Sequence, residues 1–292
     1  MLQLLSYITT LVAPLRGARS TPPRSAAAIA LESVTLANAA GDSAQIYTFG
    51  ACVTSYVKDG RDVLMVRPDA KMDGSKPISG GIPFCFPQFG PGEMQQHGFA
   101  RNLEWSIASS TADTAVFTLA DSDYTRAMWP HAFSATYTVS LGATSLSTEF
   151  KVRNLGDAPF EFTGALHSYW AVSGIANVAV RGAFEGASYL DKMIEPPALV
   201  TSSASTVTIT EETDRVFEGV SGDVVIEDSG AGSALTIRSS GWEDTVLWNP
   251  YGNEGMGYDS FVCVAAATAL SPVTLPAQAE WTGTMEVIPG SL

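Results

Sequence analysis

Cysteine is scarce: Cys52, Cys85 and Cys263 are the only three in 292 residues, with no CxxC pair and no nearby Cys/His cluster. That excludes a disulfide framework and a zinc site of ordinary spacing, and it fits a reducing compartment. Basic residues are few as well. Sixteen Lys and Arg face 30 Asp and Glu, a net charge of −14, and no basic run occurs, so nucleic acid and anionic membrane are poor partners. Charged residues make up only 16 % against 46 % hydrophobic, which excludes a disordered chain or a coiled coil. HExxH, Walker A, GxSxG and a strand-linked dinucleotide fingerprint are all missing, so zincin, NTPase, α/β-hydrolase and Rossmann chemistry lack their signals. No segment carries three helical turns of i, i+3, i+4 periodicity with caps.

What the chain does have, from residue 31 onward, is an apolar pattern of period two. Runs of β-branched and aromatic residues are broken by Gly, Asp, Asn, Ser or Pro every eight to twelve residues. Ala44 to Phe49, Ala115 to Leu119, Ala132 to Leu141, Ser145 to Val152, Thr206 to Thr210, Ala234 to Ile237 and Thr284 to Ile288 read as strands. The predicted class is all-β, two large antiparallel sheets packed as a sandwich. With no repeat and no linker, residues 31–292 read as one domain. Residues 1–30 differ: Arg16, Arg19 and Arg24 stand among Ser, Thr, Ala, Pro and Leu with no acidic residue. That is the composition of a presequence, implying a plastid or mitochondrion; a secretory signal or a plain extension of a cytoplasmic protein are the alternatives. The apolar stretch Met1 to Leu15 is too short to span a bilayer.

Two segments stand out. Gly80 to Gly92 (GGIPFCFPQFGPG), followed by Gln95 to Arg101 (QQHGFAR), has too much Gly and Pro for regular structure, yet its Phe and Ile residues need burial. A rigid packed loop is expected, and such loops aim polar groups into clefts. Here those groups are Gln88, His97 and Arg101; the plainer reading is that they cap neighbouring backbone. The second segment is Phe160 to Val172, where His167 sits in an apolar strand. It reads either as a proton donor or acceptor near neutral pH or as a hydrogen-bonded core residue. His131 is expected at the entrance to a strand, and Cys85 as an inert buried thiol.

In this order, these segments resemble the glucose-6-phosphate 1-epimerase branch of the aldose 1-epimerase (galactose mutarotase-like) family, over residues 31 to 288. The resemblance extends to Trp129 to Phe133, Ala165 to Trp170, Tyr189 to Lys192, Glu212 to Phe217 and Trp248 to Pro250. It implies a β-supersandwich that opens a sugar ring and recloses it on the other face, interconverting α and β anomers without a cofactor or a metal. By the same resemblance, His167 is the general acid that protonates the ring oxygen and His97 helps hold the sugar. Gln88, Arg101 and Asp191 fall at substrate-contacting positions, Arg101 toward a phosphate.

Two departures from the family pattern follow. The family's proton-abstracting Glu is replaced by Ala265, after Val262-Cys263-Val264, and Ala cannot act as a base. The family's Arg before the paired glycines is replaced by Ser79, for which Lys76 is the candidate substitute as a phosphate contact. Glu254 or Asp259 is a candidate replacement for the lost base. The expected partner is therefore a small sugar phosphate, handled by a monomer. The alternatives are a sugar-phosphate-binding protein without chemistry and a mutarotase of neutral aldoses.

Overall fold

Phe133–Leu141 buries Phe, Ala, Tyr, Val and Leu on one face and leaves the intervening Ser and Thr residues half-buried on the other. Such alternation suits a pleated strand with one face on the core, and it recurs in Thr114–Ala120 and Leu146–Asn154. The computed structural model describes residues 31–292, so the presequence reading of residues 1–30 lies outside the described residues. Among the described residues the strands form three antiparallel sheets, of four, eight and nine strands.

The nine-stranded sheet runs, in spatial order, Thr206–Thr208, Val178–Arg181, Asp223–Asp228, Ser233–Ser240, Glu280–Ser291, Leu146–Asn154, Phe133–Leu141, Thr114–Ala120 and Ser106–Ser110. The eight-stranded sheet runs Ala198–Thr201, Ser188–Asp191, Thr213–Phe217, Asp244–Asn249, Phe261–Leu275, Phe160–Leu166 and Phe84–Cys85, with Tyr169–Ala171 also paired to Phe261–Leu275. The two face each other through aromatic side chains: Phe84 of the second meets Tyr137 and Phe150 of the first, with ring centroids 4.5 and 4.8 Å away. The architecture is an all-β supersandwich with little helix. Among the described residues the one α-helix is Asp123–Met128, started by a reciprocal cap between Ser122 and Thr125. No helix there is long and apolar enough to cross a membrane.

The expected strands are present within a few residues, the last one extended to Glu280–Ser291. His131 stands just before the Phe133–Leu141 strand, its ring 4.8 Å from that of Trp129. The Gly80 to Arg101 segment forms one short strand, Phe84–Cys85, then an irregular wall that ends in the 3₁₀ turn Ala100–Asn102. Its Phe84, Phe86 and Phe99 are fully buried. Phe86 stands edge-on to Phe99, Trp129, Phe133, Phe150 and Phe162. Each such burial removes a large apolar surface from water and stabilises by about 1.5–3 kcal/mol. The backbone fits because Gly81 has φ +67° and a Cβ there would lie 2.0 Å from the Val53 carbonyl oxygen.

Candidate active site

The packed wall, the turn after Phe160–Leu166 and the Asp244–Asn249 strand enclose a cavity of 340 Å³. Its lining includes both His97 and His167, whose ring centroids are 5.5 Å apart. His167 follows directly on its strand, and its backbone N–H donates to Pro83 O at 2.9 Å. Its ring stacks on Tyr169 at 5.2 Å and meets the edge of Trp248 at 5.7 Å, while Nδ1 is buried without a protein partner. His97 has φ +66°, uncommon for a residue with a Cβ, and is pinned by a reciprocal pair of bonds. Its N–H donates to Gly90 O at 2.9 Å, and Gly90 N–H donates to His97 Nδ1 at 2.9 Å. With Nδ1 accepting, the neutral ring carries its proton on Nε2.

Both imidazoles are held neutral. Burial pushes His167 down to about 4, with Arg101 adding to the effect. His97 is pushed down to about 2 by burial and then by His167, Arg101 and Lys192. The cavity is thus electropositive inside a protein of net charge −14. Among the described residues, Arg67, Arg101 and Lys192 line it against a single carboxylate, Asp214. Arg67 is gripped by Asp69 through Nε and Nη2 at 2.8 and 2.5 Å, and Lys192 Nζ lies 3.2 Å from Asp214 Oδ1 and 4.7 Å from the centre of the Phe89 ring. Arg101 differs from both: its Nη2 donates to Gln96 O at 2.9 Å, and its Nε is buried without a protein partner.

Of the residues singled out in the sequence, His97, His167 and Arg101 meet at this cavity, and Gln88, Asp191, Lys76, Glu254 and Asp259 are not among its lining. Each of the five has a physical reason. The Gln88 amide is consumed in its own loop, with Nε2 donating to Gly90 O at 3.1 Å and Oε1 accepting from Met94 N–H at 3.1 Å. Asp191 pairs in register with Arg215 on the opposite face of its strand and accepts from Met193 N–H at 2.9 Å. Lys76 is exposed. Glu254 is exposed in a short 3₁₀ turn, and Asp259 Oδ1 accepts from Ile175 N–H at 3.0 Å. The replacement base expected at Glu254 or Asp259 is therefore not at the cavity. Ala265 is buried directly opposite Val246, a lining residue, so its methyl lies on the cavity face of the sheet.

Residues not anticipated as site residues are Arg67, Lys192, Asp214, Tyr169 and Trp248. All but Arg67 lie inside the segments that carry the resemblance. Arg67 enters through pairing, its N–H donating to Ser79 O at 3.0 Å across the short bridge of Val66 to Gly80.

The family model for aldose 1-epimerase matches residues 32–287. The chain belongs to the aldose 1-epimerase family. A protein of Cenchrus ciliaris bearing the name "Putative glucose-6-phosphate 1-epimerase" is 32 % identical over 285 residues, covering 89 % of this chain and 86 % of its own. The Escherichia coli (strain K12) protein of the same name is 32 % identical over 236 residues, 75 % of this chain and 78 % of its own. Among solved structures, a Synechocystis sp. PCC 6803 protein superposes with a TM-score of 0.80 at 19 % identity, over 90 % of this chain and 98 % of that one, which speaks for the fold. As a member of the aldose 1-epimerase family the chain is a sugar isomerase of the mutarotase type.

Proposed function

We propose that this aldose 1-epimerase family member interconverts the α and β anomers of a hexose 6-phosphate. Arg101 is the observation that carries the reading: a guanidinium on the cavity whose Nε is buried with no acceptor and whose hydrogen bond goes to a backbone carbonyl. A buried guanidinium N–H left without an acceptor is costly, and a phosphate oxygen supplies the missing acceptor. Two relatives named for glucose 6-phosphate support the same substrate class.

In this reading His167 delivers a proton to the ring oxygen as the C1–O5 bond breaks. His97 donates from Nε2 to a sugar oxygen, with its orientation fixed by the Gly90 bond to Nδ1. A bound phosphate offsets the positive field of Arg101 and Lys192, so substrate itself raises the affinity of His167 for the proton it must deliver. Proton transfer of this kind contributes about 10²–10⁴-fold.

Anomer exchange of glucose 6-phosphate and of glucose, followed by magnetisation-transfer NMR, tests the proposal. Exchange of the phosphate above its spontaneous rate, abolished in His167→Ala, is the expected result. Arg101→Ala is expected to weaken binding of glucose 6-phosphate far more than binding of glucose. Equal losses would remove the phosphate role, and binding without exchange in the wild type would leave a sugar-phosphate-binding protein.

A further inference from the structure

Ring opening also needs a base at the anomeric hydroxyl, where position 265 offers only a methyl group. Resting on the mutarotase reading above, the geometry points to Asp214 as the residue that abstracts the anomeric hydroxyl's proton in this chain. It is the one carboxylate among the described residues that line the His97 and His167 cavity.

Sheet register puts it there. Asp214 pairs with Trp248, and Trp248 with Cys263; one step further along the same face, Val216 pairs with Val246, and Val246 with Ala265. Residues two apart share a face, so Asp214, Trp248, Val246 and Ala265 all face the cavity side. Trp248, whose ring edge meets His167, stands between the position of Asp214 and the column that holds Ala265. The base has thus shifted two strands across the sheet and two residues along it, roughly 12 Å at the usual strand spacing and rise. The backbone is anchored by Lys192 N–H, which donates to Asp214 O at 3.0 Å. The Lys192 ammonium holds Oδ1 at 3.2 Å, and Oδ2 is not part of that pair.

The step balances. Asp214 takes the proton from the C1 hydroxyl, the C1–O1 bond becomes a carbonyl, and the C1–O5 electron pair leaves to O5, which takes a proton from the His167 imidazolium. Rotation about C1–C2 presents the other carbonyl face. O5 then attacks C1 and returns its proton to His167, while Asp214 returns its own to O1.

The test compares wild type, Asp214→Asn and the double variant Asp214→Asn/Ala265→Glu by magnetisation transfer on glucose 6-phosphate, with binding measured in parallel by calorimetry. We expect Asp214→Asn to lower kcat by about 10²–10⁴-fold with KM changed far less. Restoring a carboxylate at position 265 is expected to recover exchange in the double variant. Exchange by Asp214→Asn at the wild-type rate would overturn the assignment while leaving the mutarotase reading intact. Loss of sugar binding together with exchange would make Asp214 a binding group and overturn the base role. Wild type silent above the spontaneous rate would instead overturn the mutarotase reading itself. If Asp214→Asn does not fold, Asp214→Glu carries the test: it keeps the charge beside Lys192 but displaces the oxygens, and an unchanged kcat would overturn the assignment.

Discussion

Arg67 and Ser79 face each other across a short backbone bridge, and the side chain that reaches the cavity with a charge belongs to the first of them. A guanidinium at 67 can contact what an Arg at 79 would have contacted, since the two positions are hydrogen-bonded neighbours. Lys76, nearer to Ser79 along the chain, is exposed. Arg67→Ala is therefore expected to raise the Kd for glucose 6-phosphate about tenfold or more, the value of one charge-assisted hydrogen bond, and to affect glucose little. Lys76→Ala should leave both unchanged. Calorimetric titration of both sugars checks this, and the reverse ranking would return the phosphate to Lys76. Single residues were legible in the sequence only where the local segment fixes their direction. His97 and His167 are aimed by their own turns, whereas Asp191 and Lys192 differ by one step of strand parity. That step puts Asp191 beside Arg215 and Lys192 beside Asp214 in the cavity, and parity depends on a partner strand more than twenty residues away.

At the scale of elements, the Gly80 to Arg101 wall holds the site because its aromatic side chains are wedged between the two large sheets while its polar atoms are bonded to one another. Phe86→Ala removes a ring enclosed by five others, so it should cost about 3–5 kcal/mol of stability in a urea titration. Gln88→Ala should act on the same wall, loosening its self-bonded loop, with binding lost through His97 rather than through a missing sugar contact. Normal stability with a large loss of affinity in Gln88→Ala would instead make Gln88 a direct ligand. The alternating strands were legible because one of their faces is half-exposed, as in Phe133–Leu141. Phe261–Leu275 was not, since its first eight residues are all buried and show no alternation. The two-residue strand Phe84–Cys85 forms only where Phe160–Leu166 lends its edge.

The whole molecule carries a net charge of −14 around an electropositive cavity, and the two half-buried histidines on that cavity tie its environment to stability. In the folded protein His167 titrates at about 4 and His97 at about 2, against about 6.5 in an unfolded chain. Between pH 6.5 and 4 the unfolded state binds protons that the folded state refuses, so unfolding takes up protons. Stability is then fully present above pH 6.5 and is lost as pH falls. The upper figure is about 1.4 kcal/mol per pH unit for each histidine, lowered for both because each lines the cavity and is only half-buried. His131, also pushed down by burial, adds in the same direction. The hydrogen-bonded carboxylate Asp42, held at about 2 mainly by Asn38, acts in a separate window, losing its contribution only below pH 3.8. Urea titrations at pH 7.5 and 5 should therefore show a smaller acid-induced loss in His167→Gln than in wild type, because the amide is neutral at both. General charge effects of acid on the remaining carboxylates cancel in that comparison. Equal losses would mean that His167 is not held neutral by its burial and the neighbouring cations.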